Sequence, residues 1–178
     1  MAKATKTTIY IPGAALVVLV GIAGSGKSTF ASERFRSTEI LSSDRFRAMV
    51  SDDEGDQEAT DDAFAILHSV LEKRLRRGRL CVVDATNLQA KHRAILMKAS
   101  RSHKRPALAI VFDTPEDVCV TRADRRKGRP VSAAVIHEQA KKLAEQTDEQ
   151  LLAEGFRKVV RIKAEQHVEI RRAISASA

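Results

Sequence analysis

Eight residues constrain this chain more than any other stretch: Gly21-Ile22-Ala23-Gly24-Ser25-Gly26-Lys27-Ser28, with the apolar run Leu16 to Val20 before them and Thr29-Phe30-Ala31 after. A Gly at each end of four residues, followed by Lys and Ser, is the phosphate-binding loop pattern, in which successive backbone N–H groups wrap a phosphate chain. Glycine belongs there because a side chain would block the close approach and penalise positive φ angles. The pattern sends Lys27 to the β/γ-phosphates and gives the Ser28 hydroxyl to Mg²⁺. A helix beginning near Ser28 adds its orphan N–H groups and its dipole to the attraction for an anion. Gly21, Ala23, Gly24, Ser25, Gly26, Lys27, Ser28 and Thr29 are therefore the expected donor-binding set, with ATP as donor.

The surrounding pattern fits that motif. Short apolar strands are expected at Leu16–Val20, Ile40–Leu41, Leu80–Val83, Pro106–Phe112 and Val159–Ile162, and helices fill the intervals. Tyr10-Ile11 precede the turn Pro12-Gly13. Helices are expected from the loop to about Arg36, from Ser43 to about Val50, from Thr60 to Gly78, from Ala90 to Ser102, and from Thr114-Pro115 onward. Thr60 and Thr114 read as capping hydroxyls. Val131 to Glu154 reads as one long helical stretch ending at Gly155, and the tail from Ala164 reads as helical. Alternating strands and helices mean an α/β fold with a parallel sheet covered on both faces, here a three-layer arrangement with an arginine-bearing helical lid at about 122–135.

At 178 residues the chain is expected to be one domain. With 43% hydrophobic and 30% charged residues, and no apolar run near the ~20 residues that span a bilayer, it reads as soluble and cytoplasmic, without a membrane anchor or a cleavable signal. Cys81 and Cys119 fall inside apolar segments and read as buried thiols. The net charge of +8 favours polyanionic partners. Residues 52–62 are densely acidic, whereas Lys91 to Arg105 contains six Lys/Arg and no acid.

In such folds ligands bind beyond the carboxyl ends of the strands. Asp84, which ends an apolar strand, stands where a carboxylate holds Mg²⁺ beside Ser28. Asp44 and Arg47 share one face at the start of a helix. Residue type leaves two readings: a first-turn Asp with a solvated Arg, or a base that deprotonates an acceptor hydroxyl beside a guanidinium that steadies a phosphate. Arg122, Arg126 and Arg129 read either as a solvated helix end or as a lid neutralising the γ-phosphoryl, and the neighbouring phosphate loop favours the lid. His68 lies beside an apolar helix face and reads as structural, and Thr86 and Asn87 as turn-closing residues.

Three segments then carry a resemblance: 42–47 (Ser-Ser-Asp-Arg-Phe-Arg), 50–57 (Val-Ser-Asp-Asp-Glu-Gly-Asp-Gln) and 82–87 (Val-Val-Asp-Ala-Thr-Asn). Together with the loop and lid they resemble the kinase module of bacterial polynucleotide kinase-phosphatases of RNA repair, over about residues 8–165. The resemblance implies transfer of the γ-phosphoryl of ATP to the 5′-hydroxyl of an RNA or DNA end. It implies that Asp44 is the general base, that Arg47 and Gln57 bind acceptor-side phosphate, that Arg122, Arg126 and Arg129 are lid residues, and that Val135 contacts the terminal base. Phosphatase and ligase modules often accompany this kinase in the family, and 178 residues leave no room for them. The lid segment 127–130 (Lys-Gly-Arg-Pro) departs from the family's pattern. Two other functions fit a phosphate loop: a kinase for a small metabolite such as a sugar acid or nucleoside, and a nucleotide-switched RNA-binding ATPase. With no Trp and one Tyr, base-stacking surfaces are scarce, so contacts to phosphates are expected to dominate nucleic-acid binding.

Overall fold

The computed structural model describes residues 7–126, 131–164 and 166–173. Its centre is a five-stranded, all-parallel sheet in the order β3-β4-β2-β5-β6, formed by β2 (Leu16–Val20), β3 (Ile40–Ser42), β4 (Cys81–Asp84), β5 (Ala107–Asp113) and β6 (Lys158–Lys163). All five residues of β2 are buried. Burial from both sides explains its unbroken apolar sequence, since neither face meets water. The chain builds outward from β2 to β3, returns to β4, then crosses to β5 on the other side of β2. That reversal is the switch point where such sheets open a crevice for ligands. Register sets what lies there: Asp84 stands opposite Leu19 of β2 and Ser42 of β3.

Strand pleating sorts the core into two clusters. Leu16, Val18 and Val20 face one side, together with Leu67, Leu71 and Leu75 of α3 (Thr60–Arg76), Leu96 and Met97 of α4 (Ala90–Ser102) and Cys119 of α5 (Glu116–Asp124). Ile136 and Leu143 of α6 (Ala133–Ala144) and Leu151 of α7 (Asp148–Glu154) complete that layer. Val17 and Leu19 face the other side, against Phe30 and Ala31 of α1 (Lys27–Arg34). Phe30 also meets Phe112 edge-on, with ring centroids 5.3 Å apart.

The second layer corrects the reading of the tail. The tail is a strand, β7 (Val168–Ala173), and it pairs in parallel with β1 (Thr7–Pro12). Ile9 and Ile11 of β1 are fully buried beneath this ribbon, and Val168 is nearly so. The ribbon therefore shares one face of the sheet with α1, where helices alone were expected. Its sequence alternates, with Val168 and Ile170 packing on the core and Arg171 exposed, but six residues also fit a short helix. A partner some 160 positions away decides between them, through the register Thr7↔Val168.

Three cross-links hold the ribbon. Arg172 makes a bidentate ion pair with Glu39, at 2.7 and 2.6 Å, just before β3. Arg34 of α1 donates to the Val168 carbonyl at 3.1 Å, and Gln166 donates to the Thr7 hydroxyl.

Three helix expectations also change. The stretch from Val131 to Glu154 is two helices, because Thr147 opens α7 with a capping box closed by Gln150. Thr60 does not cap α3; Ala59 holds that position, and the Thr60 hydroxyl is buried without a hydrogen-bond partner. Thr114 does not cap α5 either, for its hydroxyl donates to the Ser25 carbonyl at 2.9 Å. Cys81 and Cys119 are free and buried, as expected, and burial pushes both thiols up. Among the described residues no helix is long and apolar enough to cross a membrane.

Glu39 gives the ribbon a pH signature. Its burial opposes ionisation, but the Arg172 hydrogen bonds, the Arg36 backbone N–H and the charges of both arginines outweigh that and hold its carboxyl below the usual range. A lowered folded-state value means that its stabilisation is present above the unfolded pKa and is lost as the pH falls through the folded one. Thermal melts between about pH 7 and about pH 3 should therefore lose stability on the acid side, and Glu39→Gln should flatten part of that limb. Arg172→Ala should cost about 2 kcal/mol near neutral pH, the worth of hydrogen bonds to a charged group.

Candidate active site

The phosphate loop leaves β2 at Gly21, whose N–H donates to the Thr86 carbonyl at 3.0 Å. Gly24 and Gly26 carry φ of 81° and 98°, the left-handed region where side chains strain the backbone. Gly24 is glycine for a second reason: a Cβ there would lie 2.3 Å from the Cys119 carbonyl oxygen of α5. Gly26 occupies the N-cap of α1, so the helix begins at Lys27, one residue before the expected start, and points its free amides into the loop. Lys27 is buried and its ammonium donates to the Ile22 carbonyl at 2.8 Å and the Ser25 hydroxyl at 3.2 Å.

Other elements hold the loop in that shape. Thr114 holds the Ser25 carbonyl, and Gln139 of α6 accepts the Ala23 N–H at 2.8 Å. Neither Thr114 nor Gln139 was singled out for the site by sequence, since each acts across about a hundred positions and neither stands in a motif. Asn87, read as closing a turn, does more: with φ of 50° its amide donates to the Leu19 carbonyl at 2.7 Å and to Val83 at 3.4 Å. It thereby locks β2 to β4 at the switch point.

Asp84 is buried beside this loop and shares a small cavity with Ser28. Burial pushes its carboxyl up, and Ser28, Lys27 and Arg126 pull it partly back. Among the described residues no group of three or more His, Cys, Asp or Glu forms a cage for a metal. A hydroxyl and one carboxylate next to a phosphate cradle suit Mg²⁺, which keeps several waters and takes its remaining oxygens from the substrate's phosphates. A buried carboxylate short of positive charge fits that ion.

Asp44 lies in the first turn of α2 (Ser43–Ser51), where the Ser42 side chain caps the helix by accepting the Arg45 N–H at 3.4 Å. It lines a small cavity of about 40 Å³ together with Lys27, Ser28, Asp84 and Arg126. It also lines a cleft of about 760 Å³ that brings Arg47, Gln57 and Val135 together with Phe64 and Gln139. The carboxylate thus stands at the junction of the phosphate cradle and an open cleft. Arg47 is not a solvated arginine. It is 5% exposed, its Nε donates to the Glu54 carbonyl at 2.8 Å, and its Nη2 pairs with Asp44. Burial pushes the guanidinium down, while Glu54 and Asp56 in the acidic loop push it back up.

Arg122, in the last turn of α5, and Arg126, just beyond it, line a third cavity of about 510 Å³ with Gly24, Ser25, Gly26 and Thr29. Arg126 also lines the small cavity. Arg129 lies outside the described residues, as does the rest of 127–130. His68 is half-buried, and burial followed by the neighbouring His92 lowers its pKa.

Gly24→Ala should abolish the cradle, because both the backbone angle and the Cys119 carbonyl oppose a methyl group. At ATP near 100 times its dissociation constant the parent chain should gain about 2.7 kcal/mol of stability, and the variant should gain none in the same thermal-shift measurement.

A family model described as "AAA domain" matches residues 16–148. No curated protein sequence matches the chain significantly. Its fold is similar to that of a sugar kinase from Janibacter sp. HTCC2649, with 19% identity and a TM-score of 0.59 over 85% of this chain and 86% of that one. A gluconokinase from Sinorhizobium meliloti 1021 is 20% identical with a TM-score of 0.51, over 88% and 86% of the two chains. A chain of the Pnkp1/Rnl/Hen1 complex is 23% identical with a TM-score of 0.53, over 65% of this chain and 44% of that one. At such identities the likeness is one of fold. With most of its sequence matched and its phosphate loop, parallel sheet and strand-end carboxylate in place, the chain belongs to the AAA domain family, with a P-loop fold.

Proposed function

We propose that this chain is an ATP- and Mg²⁺-dependent polynucleotide 5′-kinase, which transfers the γ-phosphoryl of ATP to the 5′-hydroxyl of an RNA or DNA end. The observation that carries the reading is the position of Asp44, at the wall shared by the phosphate cradle and a cleft that also holds Arg47, Gln57 and Val135. Those four residues belong to the acceptor set implied by the sequence resemblance, whose fifth member, Arg129, lies outside the described residues; they come from α2, the loop after it and α6.

In this mechanism the acceptor hydroxyl lies against Asp44, which takes its proton as the oxygen attacks the γ-phosphorus. The new O–P bond forms in line with the breaking bond between the γ-phosphorus and its bridging oxygen, and ADP leaves. Lys27 sits at the cradle to offset charge on the β/γ-oxygens, and Arg122 and Arg126, which line cavities beside the loop, add to it. Ser28 and Asp84 would hold Mg²⁺, which when bound would supply further positive charge at the phosphates. Arg47 orients Asp44 through their ion pair and presents its remaining N–H groups to the cleft, where Gln57 completes an acceptor-phosphate contact. The adjoining cavity of about 510 Å³ is of a size to take the donor nucleoside.

The likeness to a sugar kinase and a gluconokinase favours a second reading, a small-metabolite kinase on the same scaffold. Incubation with γ-labelled ATP and either a 5′-hydroxyl oligonucleotide or gluconate separates them: label on the strand supports the proposal, and label on gluconate alone sinks it. Tight oligonucleotide binding with no transfer to either would instead mark a nucleotide-switched RNA-binding ATPase. Asp44→Asn should lower transfer by about 10²- to 10⁴-fold, the usual worth of a general base, and leave ATP binding intact. Oligonucleotide affinity should fall steeply with salt, because the net charge is +8 and the expected contacts are to phosphates.

A further inference from the structure

We infer that Phe64, His68 and His92 form a ledge that stacks a base of the acceptor strand beyond its 5′-terminal nucleoside. This inference rests on the proposed polynucleotide acceptor and extends it to how the strand is gripped.

Phe64 lines the acceptor cleft and packs on the core beneath it, so its ring is anchored. Its centroid lies 6.0 Å from His68, one turn on along α3, and 6.1 Å from His92 at the start of α4. The rings tilt by 41° and 36° to Phe64, a shallow fan and not a closed stack. Half-buried Phe64 and His68 and exposed His92 thus group three flat π surfaces, of which Phe64 lines the cleft. Burial, then His92, lowers the pKa of His68, and burial, then Lys91, lowers that of His92, which favours the uncharged imidazoles. Neutral rings stack on any base, and such contacts are tolerant of sequence.

The surroundings favour a strand over a metabolite. Lys91 and Lys98 are exposed on α4, and no acid occurs from Lys91 to Arg105. Asp61 lies one turn before Phe64, so attraction at the ledge comes from ring faces, and the positive charge lies on the α4 side.

The test compares a nucleoside 3′-monophosphate with an oligonucleotide of about ten residues, both bearing a 5′-hydroxyl. In the parent protein kcat/KM should favour the oligonucleotide. His92→Ala should remove about tenfold of that advantage through KM, leaving kcat and the mononucleotide reaction unchanged, and His92→Tyr should restore it. Equal use of both acceptors by the parent protein would overturn the ledge, as would a His92→Ala protein that keeps the full length advantage. Either result leaves the kinase reading standing. Failure of the parent protein to phosphorylate any nucleic acid would remove the kinase reading, and the ledge with it.

Discussion

The fit of the Gly24 backbone against the Cys119 carbonyl is the constraint on which the rest of the site depends. It leaves no room for a side chain and fixes how far α5 stands from the phosphate loop. Thr114, just before α5, then reaches the Ser25 carbonyl, and Gln139 on α6 reaches the Ala23 N–H. The loop is therefore shaped by helices about a hundred positions downstream before any phosphate arrives. Amides ordered in advance need no reorganisation when charge develops beside them, which is the condition for strong electrostatic stabilisation. The same contacts bring the arginines at the end of α5 to the cradle, since α5 cannot move far without breaking them.

What the sequence disclosed and what it hid follow from the range of the interactions involved. The strands at Leu16, Leu80 and Pro106 were legible because strands buried on both faces of a parallel sheet are continuous apolar runs. The phosphate loop was legible because its chemistry lies within eight consecutive residues. The ribbon of β1 and β7 was not, because six residues with two or three apolar positions acquire their strand identity from a partner at the other end of the chain. The break between α6 and α7 was written in Thr147 and Gln150, but an apolar pattern running through both helices masks a capping box. Thr114 shows the opposite failure. It stands where a cap belongs, yet its hydroxyl serves the phosphate loop instead.

Charge shows the same division. The net +8 points toward polyanions, but several of the arginines behind it are spent inside the molecule. Arg93 is buried and binds Glu154, the Asn87 carbonyl and Gln146. Arg161 bridges Asp113 and Asp148, and Arg172 clamps Glu39. Arg47 is held by the Glu54 carbonyl of the acidic segment, so that segment has a structural task besides any effect on ligands. Composition cannot separate these from Lys91, Lys98, Arg122 and Arg126, which remain at surfaces or cavities.

Asp84 carries this reasoning one step further. A carboxylate at the end of a buried strand, raised in pKa by desolvation, makes the ligand-free protein less stable than a neutral residue of the same shape would. Ser28, Lys27 and Arg126 offset part of that cost but leave the shift upward. A side chain serving the fold alone would be expected to find full compensation, as Glu39 does with Arg172. A Mg²⁺ ion held through Ser28 and Asp84, as proposed, would offset the remainder by favouring the ionised carboxylate.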